Sequence, residues 1–515
     1  MYTLGDILRC SARSFPSRTS VVFEGKSLTY LELNERVNRL CNALKALDIG
    51  REDRLAVLSE NTYKYLEIYF AASKLGISVT PLNFRLAGPE IIQIVNDSES
   101  TVLFAGDGYE EPAVQMAGSL PHIRKWIAMD NRTAGFDFYE DLLAGASADE
   151  PDCDTMEEDM AILMYTGGTT GLPKGVMMSH RALMSGFIGA ALSFSFTKQD
   201  TTCFILPLFH VSFWPAFAVL LVGGKVVIVR RPQVNAVLKL IQDEKCTHIN
   251  AVPTLYNWML QLADPDAYDL SSLRIISYAG SPFPPELLKK CIERFGPIFM
   301  QAYGMTECIG GTILSMEDHE PGGNRSHLLA SAGKAAPGVD VALTGMDDQM
   351  LRPGEIGEIV IRGKCVMKGY WKNPELTAVA LRGGWYHTGD MGYMDEEGYL
   401  FLVDRKADMI VTGGENVYPK EVEDVLYQHP AIAMAAVVSA PDEKWGERVQ
   451  AVVVLRPDQK VEEEELIAHC KSKLAGYKCP KAIEVWDTLP TTPVGKILRK
   501  DIKKTFWQGY DRTIN

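Results

Sequence analysis

The sequence lacks an uninterrupted apolar run of membrane-spanning length. Its longest apolar stretch, residues 213–229, is broken by Gly223, Gly224 and Lys225, whereas a span needs about 20 consecutive apolar residues. It also lacks an excess of positive charge. The net charge of −14 argues against nucleic acid or an anionic membrane as a general partner. The ten cysteines are scattered, with no Cys-x-x-Cys pair, so neither a zinc framework nor a disulfide scaffold is indicated. Free thiols point to a reducing compartment. The opening Met-Tyr-Thr-Leu-Gly-Asp has neither the basic nor the apolar region of a secretory signal, and the closing Arg-Thr-Ile-Asn carries no lipidation or address motif. There is no internal repeat and no low-complexity segment. A cytoplasmic protein with small-molecule partners is the expectation, and the residues leave open whether it works alone or as a homodimer.

What is present is ordinary globular material. Hydrophobic residues make up 46% and charged residues 23% of 515 residues, too long a chain for one core. Thr29-x-x-Glu32 is a capping box, opening a helix with Leu33, Val37, Leu40 and Leu44 on one face and a stop at Gly50. Residues 54–58 then read as a strand, 65–75 as a helix and 77–82 as a strand. This alternation continues to about residue 252 and argues α/β with a largely parallel sheet. Residues 131–154 are polar and read as a surface connection. From residue 339, short strands at 339–343 and 357–362 between Asp, Gly and Pro turns predict a small β subdomain. After Arg405 a helix at 419–427, strands at 435–438 and 450–455 and a helix at 463–474 predict a separate small α+β domain. The expected division is a large domain over 1–404 and a small, mobile domain over 405–515.

Residues 165–180 read Tyr-Thr-Gly-Gly-Thr-Thr-Gly-Leu-Pro-Lys-Gly-Val-Met-Met-Ser-His. Glycines let backbone N–H groups turn inward around an anion. Threonine hydroxyls add neutral donors and Lys174 a point charge. Apolar runs at 160–164 and 176–178 suit buried strands, so the loop is expected to join two strands. A Walker A loop needs Gly-Lys-Ser/Thr opening a helix. Here Lys174 lies between Pro173 and Gly175, so that pattern fails. By itself such a loop also fits a plain hairpin.

Four further stretches carry chemistry. Gln-Ala-Tyr-Gly-Met-Thr-Glu at 301–307 offers a ring, Tyr303, able to stack on a flat base, and a carboxylate, Glu307, suited to Mg²⁺. Trp-Tyr-His-Thr-Gly-Asp at 385–390 ends on a carboxylate that can accept both hydroxyls of a ribose, or simply mark a turn. Gly413 and Gly414 precede a helix and permit close approach of backbone and ligand. Pro-Thr-Thr-Pro-Val-Gly-Lys-Ile-Leu-Arg at 490–499 holds Lys496 on a short tip beside apolar Ile497 and Leu498.

In this order, over residues 160–500, these strings resemble the adenylate-forming superfamily of acyl-CoA synthetases, peptide-synthetase adenylation domains and firefly-type luciferases. The Leu-Thr-Tyr-Leu-Glu-Leu string at 28–33 agrees. The resemblance implies that Thr166, Gly167, Gly168, Thr169, Thr170, Gly171 and Lys174 cradle the phosphates of ATP. Tyr303, Gly304 and Thr306 contact the adenine, Glu307 holds Mg²⁺, and Asp390 and Arg405 reach the ribose or phosphate. Lys496 is the implied adenylation lysine, and Gly413 and Gly414 line a pantetheine tunnel for CoA. The family hinge is usually Asp or Lys, and the matching position is Ala407, which weakens that one carry-over.

The implied reaction joins a carboxylate to the α-phosphate of Mg-ATP, releasing pyrophosphate, and then exchanges AMP for the thiol of CoA. A carboxylate is already ionised at neutral pH, so the first half needs alignment and charge neutralisation from Lys496, Thr166, Lys174 and Glu307, not a base. A peptide-synthetase-type enzyme is an alternative, but no acidic residue lies just after 207–214, where such enzymes hold the substrate amine. A non-catalytic nucleotide-binding regulator is another, opposed by the intact Lys496 and Glu307. Luciferase activity is a minor third. His210, Val211, Phe213, Trp214, Gly280, Ser281, Ile309 and Gly310 are the candidate acyl pocket. Being apolar, they predict a neutral fatty or aromatic monoacid.

Overall fold

Thr29 accepts the N–H of Glu32 on its hydroxyl at 3.2 Å and gives its own N–H to the Glu32 carboxylate at 2.7 Å. This reciprocal cap starts the helix Tyr30–Ala46, as its residues predict. The computed structural model describes residues 3–508, apart from 153, 167–172, 263–266, 282, 346, 406–407, 413–414, 443–444 and 492–496, and apart from the side chains of 262, 404, 405 and 416. All statements below concern the described residues.

Two large sheets dominate. In the nine-stranded sheet, Phe299–Met305, Ile275–Ala279, His248–Ala251, Thr201–Phe204, Lys225–Ile228 and Thr19–Phe23 run parallel, and hairpins close both ends. In the eight-stranded sheet the parallel strands are Met160–Thr166, Ser78–Pro81, Arg54–Leu58, Val102–Ala105, Lys125–Ala128 and Asp137–Phe138. Antiparallel Lys174–Ser179 and Gly369–Tyr370 complete one edge of it. Interior strands such as Ser78–Pro81, Val102–Ala105 and His248–Ala251 are buried along their whole length, as expected for a parallel sheet covered on both faces. A four-stranded antiparallel sheet follows, with Val339–Thr344, Gly357–Gly363, Tyr386–Met394 and Leu400–Arg405. This is the small β subdomain.

One hydrophobic core draws on all three sheets, from Leu4 to Leu400. At its centre the rings of Phe187 and Phe217 stack at 5.1 Å, and Phe213 meets Phe217 at 5.2 Å. Each such fully buried ring contributes about 1.5–3 kcal/mol. The helix His180–Ser193 lies directly on the Cys308–Leu314 strand. A Cβ on Gly186 would stand 2.4 Å from Ile309 Cγ2, so only glycine permits that approach. A separate core, from Ile410 to Ile483, uses only residues after 409. Its strands Ile432–Asp442 and Gly446–Leu455 form a long hairpin, with helices Pro419–Leu426, Glu463–Lys471 and Arg499–Trp507 nearby in sequence.

Residues 131–154 depart from the reading as a mere surface connection. They contain the strand Asp137–Phe138 and the helix Tyr139–Ala144. The reason is a buried charge network. Fully buried Glu67 accepts from Tyr139 Oη at 2.7 Å and pairs with Arg36, which also holds Glu140 at 2.9 Å. Further on, buried Lys74 reaches Glu150 at 2.7 Å. A buried charge is costly unless paired, so these partners draw a polar segment into regular structure.

Three buried histidines carry a pH consequence. Burial pushes the imidazole of His180 down to about 4, His248 to about 3 and His319 to about 4. Unfolded, each titrates near 6.5. Below that value the unfolded chain binds protons that the folded chain refuses, so stability is full above about pH 6.5 and is lost as pH falls toward 4. Thermal melts from pH 7.5 to 4.5 at fixed ionic strength should show a declining melting temperature. His248→Gln should lower stability throughout but flatten the decline. An unchanged slope would remove His248 from the effect.

Candidate active site

The 165–180 and 301–307 stretches lie at antiparallel hairpins, and 385–390 runs into the antiparallel four-stranded sheet. Met160–Thr166 and Lys174–Ser179 form a hairpin in which Thr166 faces Lys174 and Tyr165 faces Gly175, so the loop does join two strands. Gly167, Gly168, Thr169, Thr170 and Gly171 lie outside the described residues. The stem is anchored by Tyr165, whose hydroxyl donates to the Asp97 carboxylate. Gly175 is enclosed by Leu163, Tyr165 and Trp371, 3.0–3.2 Å from where a Cβ would stand.

The second stretch forms the Phe299–Met305 strand and its turn into Cys308–Leu314, with a register shift between Tyr303 and Met305. That irregularity leaves Gly304 exposed beside buried Tyr303 and Thr306 and puts Glu307 at the hairpin tip. Tyr303 donates its hydroxyl to Asp390 Oδ2 at 2.8 Å. Its direct effect is therefore to fix that carboxylate. Only 9% of Tyr303 is exposed, so little of its ring is open for stacking.

Asp390 sits in the Tyr386–Met394 strand. Its N–H donates to Thr388 Oγ1 at 3.0 Å, and Thr388 in turn donates to the Ile359 carbonyl at 2.8 Å. Asp390 pairs in register with Arg405 across the antiparallel ladder. The two residues are thus neighbours in the backbone, while the Arg405 side chain lies outside the described set.

Tyr370 joins the first two stretches, and no periodicity or motif had marked it. Its hydroxyl donates to Glu307 Oε1 at 3.0 Å. Lys174 Nζ stands 5.7 Å from its ring centroid. Its short strand pairs with the loop's descending strand, Tyr370 opposite Val176. The neighbouring backbone completes the clamp: Met367 N–H donates to the Glu307 carbonyl at 2.8 Å, and Trp371 N–H to the Gly175 carbonyl at 2.7 Å. The Lys-Gly-Tyr-Trp string at 368–371 was the available signal, two aromatics after a glycine, but only pairing shows what it reaches.

Three phenols surround this site. Burial first, and nearby carboxylates second, push Tyr303, Tyr370 and Tyr386 well above the ordinary phenol range. Glu307 acts on Tyr370 and Tyr386, and Asp390 on Tyr303. All three therefore remain neutral donors at physiological pH. No cluster of three or more His, Cys, Asp or Glu suited to a metal occurs among the described residues. Glu307 nonetheless fits one kind of ion. Mg²⁺ favours hard oxygen ligands and is usually held by one or two carboxylates together with phosphates. A single carboxylate oriented by a phenol, near a lysine, is that donor set.

The residues expected to form an acyl pocket divide into two groups. Gly280 and Gly310 adopt φ of +82° and +117°, and nothing stands within 4 Å of where their Cβ atoms would be, so both border open space. Ser281 is half-buried beside Gly280. His210 caps a short turn, accepting Ser212 N–H on Nδ1 at 3.2 Å, with half-buried Val211 next to it. Trp214 packs on Phe194 at 5.0 Å, and Ile309 is pinned under Gly186. Phe213 is a correction: it has no exposed surface and is enclosed by Tyr69, Phe187 and Phe217. Its ring completes the aromatic core. Ala407, Gly413, Gly414 and Lys496 lie outside the described residues.

The chain matches the model of the AMP-binding enzyme family over residues 8–371 and that of the AMP-binding enzyme C-terminal domain over 421–496. It is 38% identical over 498 residues to a feruloyl-CoA synthase of an Amycolatopsis species, covering 96% of this chain and 97% of that one. It is 35% identical to a long-chain-fatty-acid–CoA ligase of Mycobacterium tuberculosis, covering 98% and 99%. Among solved structures, the o-succinylbenzoate CoA synthetase of Bacillus subtilis in complex with an acyl-adenylate intermediate superposes with a TM-score of 0.84 at 33% identity, covering 96% and 97%.

Proposed function

The chain belongs to the AMP-binding enzyme family, and from that membership we propose that it is an AMP-forming acyl-CoA ligase acting on a neutral fatty or aromatic monocarboxylic acid. The carboxylate attacks the α-phosphate of ATP and pyrophosphate leaves. The CoA thiol then attacks the acyl-adenylate carbonyl and AMP leaves, giving the thioester. The observation that carries the reading is the meeting of Lys174 and Glu307 on Tyr370, at 5.7 Å from the ring centroid and 3.0 Å from the hydroxyl oxygen. It brings a cation and a hard carboxylate, from hairpins of two different sheets, to one place where a polyphosphate needs both.

In this reading Thr166, Lys174 and the 167–171 loop receive the phosphates. Tyr303, Gly304 and Thr306 border the base. Asp390, held by Tyr303, accepts from the ribose, with Arg405 opposite. Glu307 would hold Mg²⁺, which supplies charge neutralisation on the phosphates when bound. Lys496 neutralises charge on the carboxylate and α-phosphate. Gly413 and Gly414 admit the pantetheine arm. The small domain, from residue 405, changes position between the half-reactions about Ala407. The acid lies in the space bordered by Gly280 and Gly310, with Trp214 and Ile309 as apolar walls. None of these four can neutralise a second carboxylate, hence the neutral monoacid. No helix among the described residues is long and apolar enough to cross a membrane. The compartment of this reading is the cytoplasm, where free thiols persist.

Three measurements test this. A panel of fatty, aryl and dicarboxylic acids, read by ATP-dependent pyrophosphate release and then by thioester formation, should favour neutral monoacids. A preference for dicarboxylic or amino acids overturns the pocket reading.

Tyr370→Phe removes the donor that orients Glu307. A hydrogen bond to a charged group contributes about 1.5–3 kcal/mol, so acyl-adenylate formation should fall by roughly ten- to a hundredfold and need more Mg²⁺. A normal Mg²⁺ titration would leave Tyr370 a purely structural residue.

Lys496→Ala should suppress acyl-adenylate formation by on the order of 10²–10³. With a synthetic acyl-adenylate and CoA the same variant should form thioester at near the normal rate. Equal failure of both halves would refute a lysine that serves adenylation alone.

A further inference from the structure

Two cysteines without a role in that chemistry meet beside the site. Cys308 Sγ and Cys365 Sγ are 3.3 Å apart, and both side chains are buried free thiols. Cys308 immediately follows Glu307. Cys365 lies just after the Gly357–Gly363 strand, in the segment that leads to Tyr370. Their backbones are already at sheet spacing, because Cys308 pairs with Val366 in an isolated antiparallel bridge. A disulfide needs an S–S distance of about 2.05 Å, so the sulfurs have to close by only roughly 1.2 Å from their present 3.3 Å.

The two sulfurs also share a neighbour. Both sulfurs face the carbonyl of Gly310, Cys308 at 2.8 Å and Cys365 at 3.6 Å. Gly310 borders open space on the side where a Cβ would stand. The two cysteines themselves are 0% and 1% exposed, so only a water-sized oxidant admitted by a local opening of the packing reaches their sulfurs.

We propose that Cys308 and Cys365 are an oxidative modification site, in which a peroxide converts the two thiols into a reversible disulfide that disables adenylation. One thiolate attacks a peroxide oxygen, forming S–O as O–O breaks, and the departing hydroxide takes a proton to become water. The second sulfur then displaces the sulfenic oxygen as a second water and forms S–S. Two thiols lose two electrons and hydrogen peroxide gains them. The closure pulls on both ends of the clamp around Glu307, whose carbonyl holds Met367 N–H at 2.8 Å and whose carboxylate holds Tyr370 at 3.0 Å. A displacement near 1 Å at reacting groups costs about a hundredfold in rate, so a loss of at least tenfold is expected.

The loss of turnover rests on the adenylation reading; the crosslink does not. The full-length enzyme, reduced and then freed of reductant, is exposed to graded hydrogen peroxide and divided into two samples. One is digested without reduction and mapped by mass, and the other is assayed for pyrophosphate release. The expected result is a Cys308–Cys365 crosslinked peptide lighter by two hydrogens. It should rise in step with a tenfold or greater loss of activity, and dithiothreitol should reverse both. Cys365→Ala should keep its basal activity and resist the same peroxide. Absence of that peptide at doses that inactivate the enzyme overturns the proposal, as does a fully crosslinked enzyme with normal turnover. Equal peroxide sensitivity of Cys365→Ala also overturns it. If the variant does not fold, the wild-type map and its reversal decide alone. If no acid is turned over at all, the function reading fails while the peptide map still decides the crosslink.

Discussion

The hydrogen bond from Tyr370 to Glu307 is the contact on which the site depends, because it is the side-chain link between two sheets that the Met367 N–H to Glu307 carbonyl bond also draws together at this point. Glu307 belongs to the hairpin closing the nine-stranded sheet, and Tyr370 to the last strand of the eight-stranded one. Lys174 approaches the same ring from the adjoining strand. A parallel sheet cannot place two neighbouring strands around a tight tip, since its strands are joined by long crossovers. Only antiparallel edges supply such tips. Lys174 and Glu307 therefore meet where the two large sheets stop being parallel.

The third sheet enters the same arrangement through Tyr303. That residue belongs to the nine-stranded sheet, yet its hydroxyl ends on Asp390 of the four-stranded one. Buried phenols suit such links. Burial and the neighbouring carboxylates keep them protonated, so they donate to a carboxylate without adding a charge that would compete for phosphate. A lysine in either position would bind the carboxylate more strongly but would neutralise it. Neutral donors orient Glu307 and Asp390 without cancelling their charge.

The same density that orients the site constrains its surroundings. Gly186 lets a helix lie on Ile309, open space borders Gly310, and Cys308 and Cys365 both contact the Gly310 carbonyl. Packing at this level transmits small displacements, because interiors have little free volume to absorb them. A change between the two sulfurs therefore cannot remain local to the hairpin that also carries Glu307.

Much of this was determined by the sequence alone. Local signals decide local structure, so the capping box at Thr29, the apolar runs flanking the 165–180 loop and the turn-rich strands after residue 339 became the elements they predict. Ordered motifs are a property of the chain, and the family was legible in them. The tertiary structure alone decided which residues meet. Tyr370 sits in a two-residue strand with no period to detect, and it matters only because it pairs with Val176 and reaches Glu307. Residues 131–154 read as polar connection until Glu67 and Arg36 bring Tyr139 and Glu140 into a buried network. Phe213 reads like its neighbours in the 210–214 stretch, and only packing encloses its ring in the aromatic core. Pattern reports what a residue offers to its own strand or helix. Partners hundreds of positions away are chosen by how sheets stack, and that choice depends on shape and burial throughout the core.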